Sequence, residues 1–303
     1  MTIYNKYIKI KIGMNNVLIT GGAGFVGTNL IKYLKKNYKD INITSLDNYF
    51  TGKKENHIDG VTYYDGNTWD APEIFKDKEF DVVFHFGEYS RIVKSFDDIK
   101  YVEKTILYGT PIIMELCRKW NAKLIYSASS SKFGNNGENE NLAPYSWMKA
   151  KIVELIKNYN TWYNLQYEIC YFFNVYGEGQ ITTGDYATVI GIFEQQIKEG
   201  NKCTVVEPGT QSRDFTHIED IVRGVVLSSF TNMNHEWYLR SGINTTIIDV
   251  AKMFGDFEFI PKRRGERYTS EEFETDTESE LKWIPEHKLE DWIKIIKNKK
   301  RDI

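Results

Sequence analysis

Six short apolar runs, separated by stretches of helical spacing, set the rhythm of the chain up to about residue 173. The first, Val17-Leu18-Ile19, ends in a glycine cluster, after which Leu30, Ile31 and Leu34 share one helical face. Ile41 to Leu46, Val61 to Tyr64, Phe80 to Phe86, Leu124 to Ser127 and Tyr167 to Phe173 are the others. The run around Val82-Val83-Phe84 has the unbroken hydrophobicity of a strand covered on both faces. Strand and helix in alternation predict an α/β fold, a doubly wound parallel sheet of the Rossmann type. Beyond residue 173 the pattern loosens into short strands, Gly/Thr turns and two helical stretches, Ile221 to Phe230 and Leu289 to Asn298. The expected division is a sheet domain over 14–173 and a smaller, mainly substrate-binding α/β region over 174–303, some of which returns to the sheet domain.

Two helical stretches carry more apolar surface than one core contact uses. Tyr101 to Trp120 holds Ile106, Leu107, Ile112, Ile113, Met114 and Leu116; Tyr145 to Tyr163 holds Trp147, Met148, Ile152, Val153, Leu155, Ile156 and Trp162. A helix apolar over most of its circumference is buried on two sides, either in a dimer interface or beneath the C-terminal region. Pro111 is expected to interrupt the first of them, because it cannot donate to the carbonyl of Leu107, or else to open a new helical segment.

With 303 residues the chain can bury a large core, and a net charge of −3 offers no attraction to nucleic acid or an anionic membrane. The cysteines, Cys117, Cys170 and Cys203, have no metal or redox spacing and fit a reducing cytoplasm. No apolar run reaches the roughly 18 residues of a membrane span, and no signal peptide is visible. Met1 to Gly13 alternates Ile with Lys and reads as a tail or an upstream start, since Met14 would begin the fold equally well. Gly134 to Asn141 is a polar connector with the composition of a lid or a plain loop.

The candidate chemistry begins at Gly21-Gly22-Ala23-Gly24-Phe25-Val26-Gly27. Between a strand and a helix, such a turn brings backbone N–H groups and a helix N-terminus to a dinucleotide pyrophosphate. Gly21 permits the turn, Gly24 the close approach, and Gly27 close packing of the helix on the sheet. Asp47, twenty residues beyond Gly27, closes the next strand. There it accepts from an adenosine ribose and repels a 2′-phosphate, favouring NAD over NADP. The loop from Asn48 through Gly52-Lys53 is placed to line the adenosine. Farther along, Tyr145 and Lys149 stand four apart at the opening of a helix and so share a face. A neighbouring ammonium would lower the tyrosine pKa from about 10 toward neutrality and make Tyr145 a general base. The strand before it ends in Ser127-Ala128-Ser129-Ser130-Ser131, at the sheet edge where a substrate hydroxyl would meet a nicotinamide.

With these elements the chain resembles the extended short-chain dehydrogenases/reductases, in their NAD-dependent nucleotide-sugar epimerase/dehydratase branch. The likeness runs from about Asn15 to Lys297. It rests on the glycine turn, Asp47-Asn48, His85-Phe86-Gly87, Ser129, Tyr145/Lys149, Phe173-Asn174-Val175-Tyr176-Gly177, Arg213-Asp214-Phe215 and Arg263-Arg264-Gly265-Glu266. The resemblance implies that Ser129 assists Tyr145 and that Asn174, Arg213 and Arg263 hold a nucleotide diphosphate. It further implies that Asn67 and Thr68 flank the adenine, that Phe86, Gly87 and Phe172 lie near the cofactor, and that Val189 lines the substrate site. The implied activity is epimerisation at C4 of a UDP-sugar by transient hydride transfer to bound NAD, in a cytoplasmic homodimer.

Departures from that pattern narrow the reaction. The branch's 4,6-dehydratases carry Asp-Glu directly after the Ser129 position, where this chain has Ser130 and Ser131. A helical Asn of the family is replaced by Ile106, with Thr105 beside it, and Asn67 stands for a usual aspartate. Arg91 replaces a small residue near the substrate entrance and reads either as a contact to a sugar substituent or phosphate, or as a surface ion pair. The alternatives are a 4,6-dehydratase or ketoreductase, or a non-catalytic NAD- or RNA-binding member of the fold. His85 reads as a hydrogen-bonded core residue and His217 as a support of the substrate region. His57, His235 and His287 form no metal spacing, and no metal is expected.

Overall fold

The structure, a computed structural model, describes residues 14–133, 141–262 and 275–301. Seven strands build the central sheet: β1 (Asn16–Thr20), β2 (Asn42–Asp47), β3 (Thr62–Asp65), β4 (Val82–His85), β5 (Lys123–Ser129), β6 (Tyr167–Phe172) and β10 (Glu236–Leu239). They lie in the order β10-β6-β5-β4-β1-β2-β3, and every neighbouring pair is parallel. The direction of the strand order reverses at β1 and β4, so a crevice opens beyond their carboxyl ends. Sequence periodicity located the first six strands to within two or three residues. β10, short and half-polar, joins the sheet edge only because β6 pairs with it.

On one face of the sheet pack α2 (Thr110–Trp120) and α3 (Pro144–Tyr163); on the other, α1 (Phe25–Asn37) meets α5 (Ile218–Ser229). α4 (Val189–Lys198), α6 (Ile247–Phe254) and α7 (Leu289–Arg301) bury a third, smaller core with Tyr176, Phe215 and Val205. Around it lie a three-stranded sheet of β7 (Asn174–Tyr176), β9 (Ser212–His217) and β11 (Asn244–Thr246), and a parallel pair of β8 (Cys203–Val206) with β12 (Phe257–Ile260). Among the described residues no helix is long and apolar enough to cross a membrane.

Pro111 does not interrupt its helix. The α-helical residues Ile99–Glu103 continue through a π-helical segment, Lys104–Gly109, directly into α2, with the proline in the first turn of that last piece. The wider π turn absorbs the missing N–H without breaking the rod. It also carries Gly109 against Thr68, where a Cβ would stand 2.1 Å from Thr68 Oγ1. The opening thirteen residues and 134–140 of the polar connector lie outside the described residues, so the expectations about them are not addressed.

Candidate active site

A cavity of about 530 Å³ runs along the carboxyl edge of the sheet, lined at one end by the glycine turn and at the other by residues of the C-terminal region. Gly21 takes φ +73°, and a Cβ there would stand 3.0 Å from the Gly87 nitrogen. Thr20 Oγ1 ties the two strand ends together, accepting from Phe86 N at 3.1 Å and Gly87 N at 2.9 Å. A Cβ on Gly27 would lie 2.1 Å from Gly21 O and 2.6 Å from Gly22 Cα. Its smallness therefore serves the turn that precedes it, rather than helix–sheet packing as expected. Gly24, Phe25 and Val26 open α1 on the cavity wall.

Asp47 ends β2 facing that turn. Its two carboxylate oxygens accept from Ala23 N and Tyr49 N, both at 2.8 Å. Burial pushes its carboxyl above the usual range against these two bonds. A Cβ on Gly52 would come within 2.8 Å of Asp47 Oδ1, so the loop closes on the carboxylate. Asn48 Nδ2 donates to Asn67 Oδ1 and to Tyr101 Oη, each at 2.9 Å, while Asn67 Nδ2 donates to Asp70 Oδ2 at 2.8 Å. Asn48, Asn67, Thr68, Phe86, Gly87 and Phe172 all line the cavity.

Tyr145, in the first turn of α3, lines the cavity together with Ser129 at the end of β5, whose hydroxyl donates to Ser131 Oγ at 2.9 Å. Lys149 does not serve as the phenolate's neighbour in the expected way. Its ammonium is held by Glu88 Oε2 and by the Ser127 carbonyl, and lies 4.2 Å from the centre of the Tyr126 ring. Glu88 Oε1 accepts in turn from Thr110 Oγ1 at 2.5 Å and Tyr126 Oη at 3.2 Å. His85 bridges Thr110 Oγ1 at 2.9 Å and Thr20 Oγ1 at 2.7 Å. Because Thr110 gives its proton to Glu88, the His85 proton belongs on Nε2. Burial lowers this imidazole to about 4, keeping it neutral.

The consequence for Tyr145 reverses the expectation. Burial pushes its hydroxyl up to about 12, and the charge of Glu88 acts in the same direction; the Ser129 hydroxyl and the Arg91 guanidinium oppose them. The lysine was expected to lower this value, but its charge is compensated at contact distance by Glu88. Sequence reasoning gave Glu88 and Thr110 no role in this site. The available signal was a carboxylate immediately after His85-Phe86-Gly87, on the loop that leaves a central strand.

Toward the C-terminal region, Asn174 Nδ2 donates to Asp214 O at 3.0 Å and an Arg213 guanidinium nitrogen to Ser212 O at 2.8 Å. Val189 opens α4 behind Thr188, whose hydroxyl accepts from Gly191 N at 3.0 Å. Thr105 Oγ1 accepts from Tyr89 N at 3.3 Å, steadying the chain after Gly87. Asn174, Val189, Arg213 and Arg91 all face the cavity. Among the described residues Arg91 makes no ion pair, and its Nε is buried without a hydrogen-bond partner. Arg263 lies outside the described residues. Away from the cavity, His217, Glu219 and His287 bring ligand-type atoms within 4.8 Å of one another, a cluster hidden by their sequence spacing. Both ring nitrogens of His287 already face carboxylates, Asp220 and Glu219.

The fold and this cavity define a member of the NAD dependent epimerase/dehydratase family, to which the chain belongs: the family's model matches residues 17–236. Its cofactor is NAD and its substrates are nucleotide sugars. A putative UDP-glucose 4-epimerase of Methanocaldococcus jannaschii is 30% identical over 302 residues, covering 93% of this chain and 97% of the relative. A UDP-glucuronic acid decarboxylase of Arabidopsis thaliana is 29% identical, covering 69% of this chain and 64% of its own. Among solved structures, the UDP-glucose 4-epimerase of Thermotoga maritima, bound to UDP-glucose, superposes with a TM-score of 0.86 at 25% identity, covering 95% and 99% of the two chains. The relatives thus span more than one reaction on one fold.

Proposed function

We propose that this chain is a nucleotide-sugar epimerase acting at C4 of the sugar of a UDP-sugar, by transient oxidation with bound NAD. The observation that carries the reading is that Tyr145 and Ser129 line the same cavity as the glycine turn, with Ser130 and Ser131 where a dehydratase needs an acid and a base. The turn fits the cofactor: Gly21 and Gly27 leave no room for a Cβ, and the Asp47 carboxylate is buried beside them. Gly21, Gly24, Phe25, Val26 and Gly27 would hold the pyrophosphate, and Asp47, Asn48 and Gly52 the ribose. Asn67 and Thr68 would flank the adenine, with Phe86, Gly87, Phe172 and Lys149 toward the nicotinamide. When bound, NAD supplies a reversible hydride acceptor.

Tyr145 takes the proton of the C4 hydroxyl and returns it after the sugar has turned. Ser129, lining the same cavity, assists that proton transfer. Arg213, Asn174 and the first N–H groups of α4 at Val189 anchor the diphosphate, so that the sugar alone moves. A two-fold dimer and a reducing, cytoplasmic setting complete the reading, the latter supported by three buried free cysteines.

The test is incubation of the NAD-loaded protein with a panel of UDP-, dTDP-, GDP- and ADP-sugars, with products resolved by NMR. Interconversion of C4 epimers with deuterium at C4 retained is the expected result. Hydrogen from solvent appearing at that carbon, or products of water loss, would overturn it.

A further inference from the structure

The charges that line the cavity do not balance along its length. Two carboxylates face it, Asp47 and Glu88, and three cations, Lys149, Arg91 and Arg213. Asp47 sits at the adenosine end with backbone N–H groups on both oxygens. Glu88 is spent on Lys149, Thr110 and Tyr126. Arg213 lies on β9, on the side assigned to the diphosphate. Arg91 remains, beside the base.

No carboxylate among the described residues pairs with Arg91. Among the described residues it makes a 3.4 Å hydrogen bond to the carbonyl of the adjacent Ser90, and its buried Nε has no partner. Burial weakens its hold on its own proton, opposed by the electrostatic influence of Tyr145, Tyr186 and Tyr89, which line the site or lie beside it. Tyr89 and Tyr186 both direct their hydroxyls to Asp98, at 2.7 and 3.2 Å, so that carboxylate is already satisfied one hydroxyl away. Leaving the guanidinium Nε buried without a partner is costly unless an acceptor arrives to meet it.

We propose that Arg91 is the anion-recognising residue of the sugar subsite and that the substrate is a nucleotide sugar carrying a carboxylate, a uronic acid. This rests on the nucleotide-sugar reading above and adds the class of sugar. Arg91 stands with Tyr145, where the sugar hydroxyl reacts, so the diphosphate at Arg213 cannot be its partner in the same complex. A C6 carboxylate is attached to C5, the ring neighbour of C4. A group that reaches the C4 hydroxyl therefore has that carboxylate beside it. The planar guanidinium fork matches a carboxylate through two parallel N–H donors.

Calorimetric titration of the NAD-loaded protein with UDP, UDP-glucose and UDP-glucuronate tests this. UDP-glucuronate should bind roughly 10- to 100-fold more tightly than UDP-glucose, the range of one charge-assisted contact. Arg91→Met should abolish the difference and leave UDP affinity unchanged, and Arg91→Lys should keep part of it. Equal affinity of the wild-type protein for the two sugars would overturn the proposal while the nucleotide-sugar reading stands. A uronate preference that survives Arg91→Met would overturn the assignment of the residue. Failure of UDP and both sugars to bind would remove the nucleotide-sugar reading itself, and this proposal with it.

Discussion

Tyr145 has its hydroxyl pushed up to about 12 by burial and by Glu88, so its ionisation at neutral pH depends on positive charge brought near it. If it is the base, Tyr145→Phe should lower kcat by roughly 10²- to 10⁴-fold with nucleotide affinity little changed. Ser129→Ala, which removes an assisting hydroxyl rather than the proton acceptor, should cost less. The Glu88–Lys149 pair makes a sharper prediction. A base must lose its proton to work, so kcat/KM rises with pH through the Tyr145 pKa. Glu88→Gln removes the charge that raises this pKa and exposes that of Lys149, so the ascending limb should move to lower pH. Lys149→Met leaves Glu88 uncompensated and should move it to higher pH. Parallel pH–rate profiles in which both variants shift the same way would refute the pairing as an electrostatic control. Tyr145 and Lys149 were legible as a spacing of four in a helix; their relation to Glu88 was not, because Glu88 lies 61 positions from Lys149.

The helices on the Tyr145 face of the sheet are not covered on their outer sides by the described C-terminal residues. Tyr108 is 57% exposed, Trp147 41%, Trp162 57% and Tyr163 51%, on neighbouring helices. Exposed apolar groups of this kind are what the proposed dimer would cover, with a two-fold axis bringing the same residues of each copy together. Light scattering at micromolar concentration should give twice the chain mass, and the double variant Tyr108→Glu/Trp162→Glu should give the single mass with secondary structure retained. A monomeric wild-type protein would leave these side chains as plain surface. The periodicity of both helices announced an excess of apolar positions. It did not announce that a π segment, rather than a break, accommodates Pro111, since the choice depends on where Gly109 must pass Thr68.

For the molecule as a whole, a cofactor preference is expected from Asp47 if, as proposed, it takes the adenosine ribose. A carboxylate there repels a 2′-phosphate. NAD should therefore bind at least roughly 10-fold more tightly than NADP, a difference of about 1.4 kcal/mol. Fluorescence titration with both cofactors checks this, and Asp47→Ala should narrow the gap. Equal affinities would remove the charge argument.

The parallel sheet, the glycine turn and the tyrosine–lysine spacing were determined by the sequence alone. Each is written in residues close together in the chain, where apolar period, the special conformation of Gly21 and helical geometry act locally. Only the tertiary structure decided what surrounds the reacting centre. Parallel strands bring the loop after β4, the end of β5 and the start of α3 to one edge of the sheet. There the neutral His85, the Glu88–Lys149 pair and the unpaired Arg91 acquire their roles from neighbours tens of residues away. Burial strengthens the ion pair and hydrogen bonds among these groups while it disfavours their isolated charges, and burial exists only once the chain has closed around them.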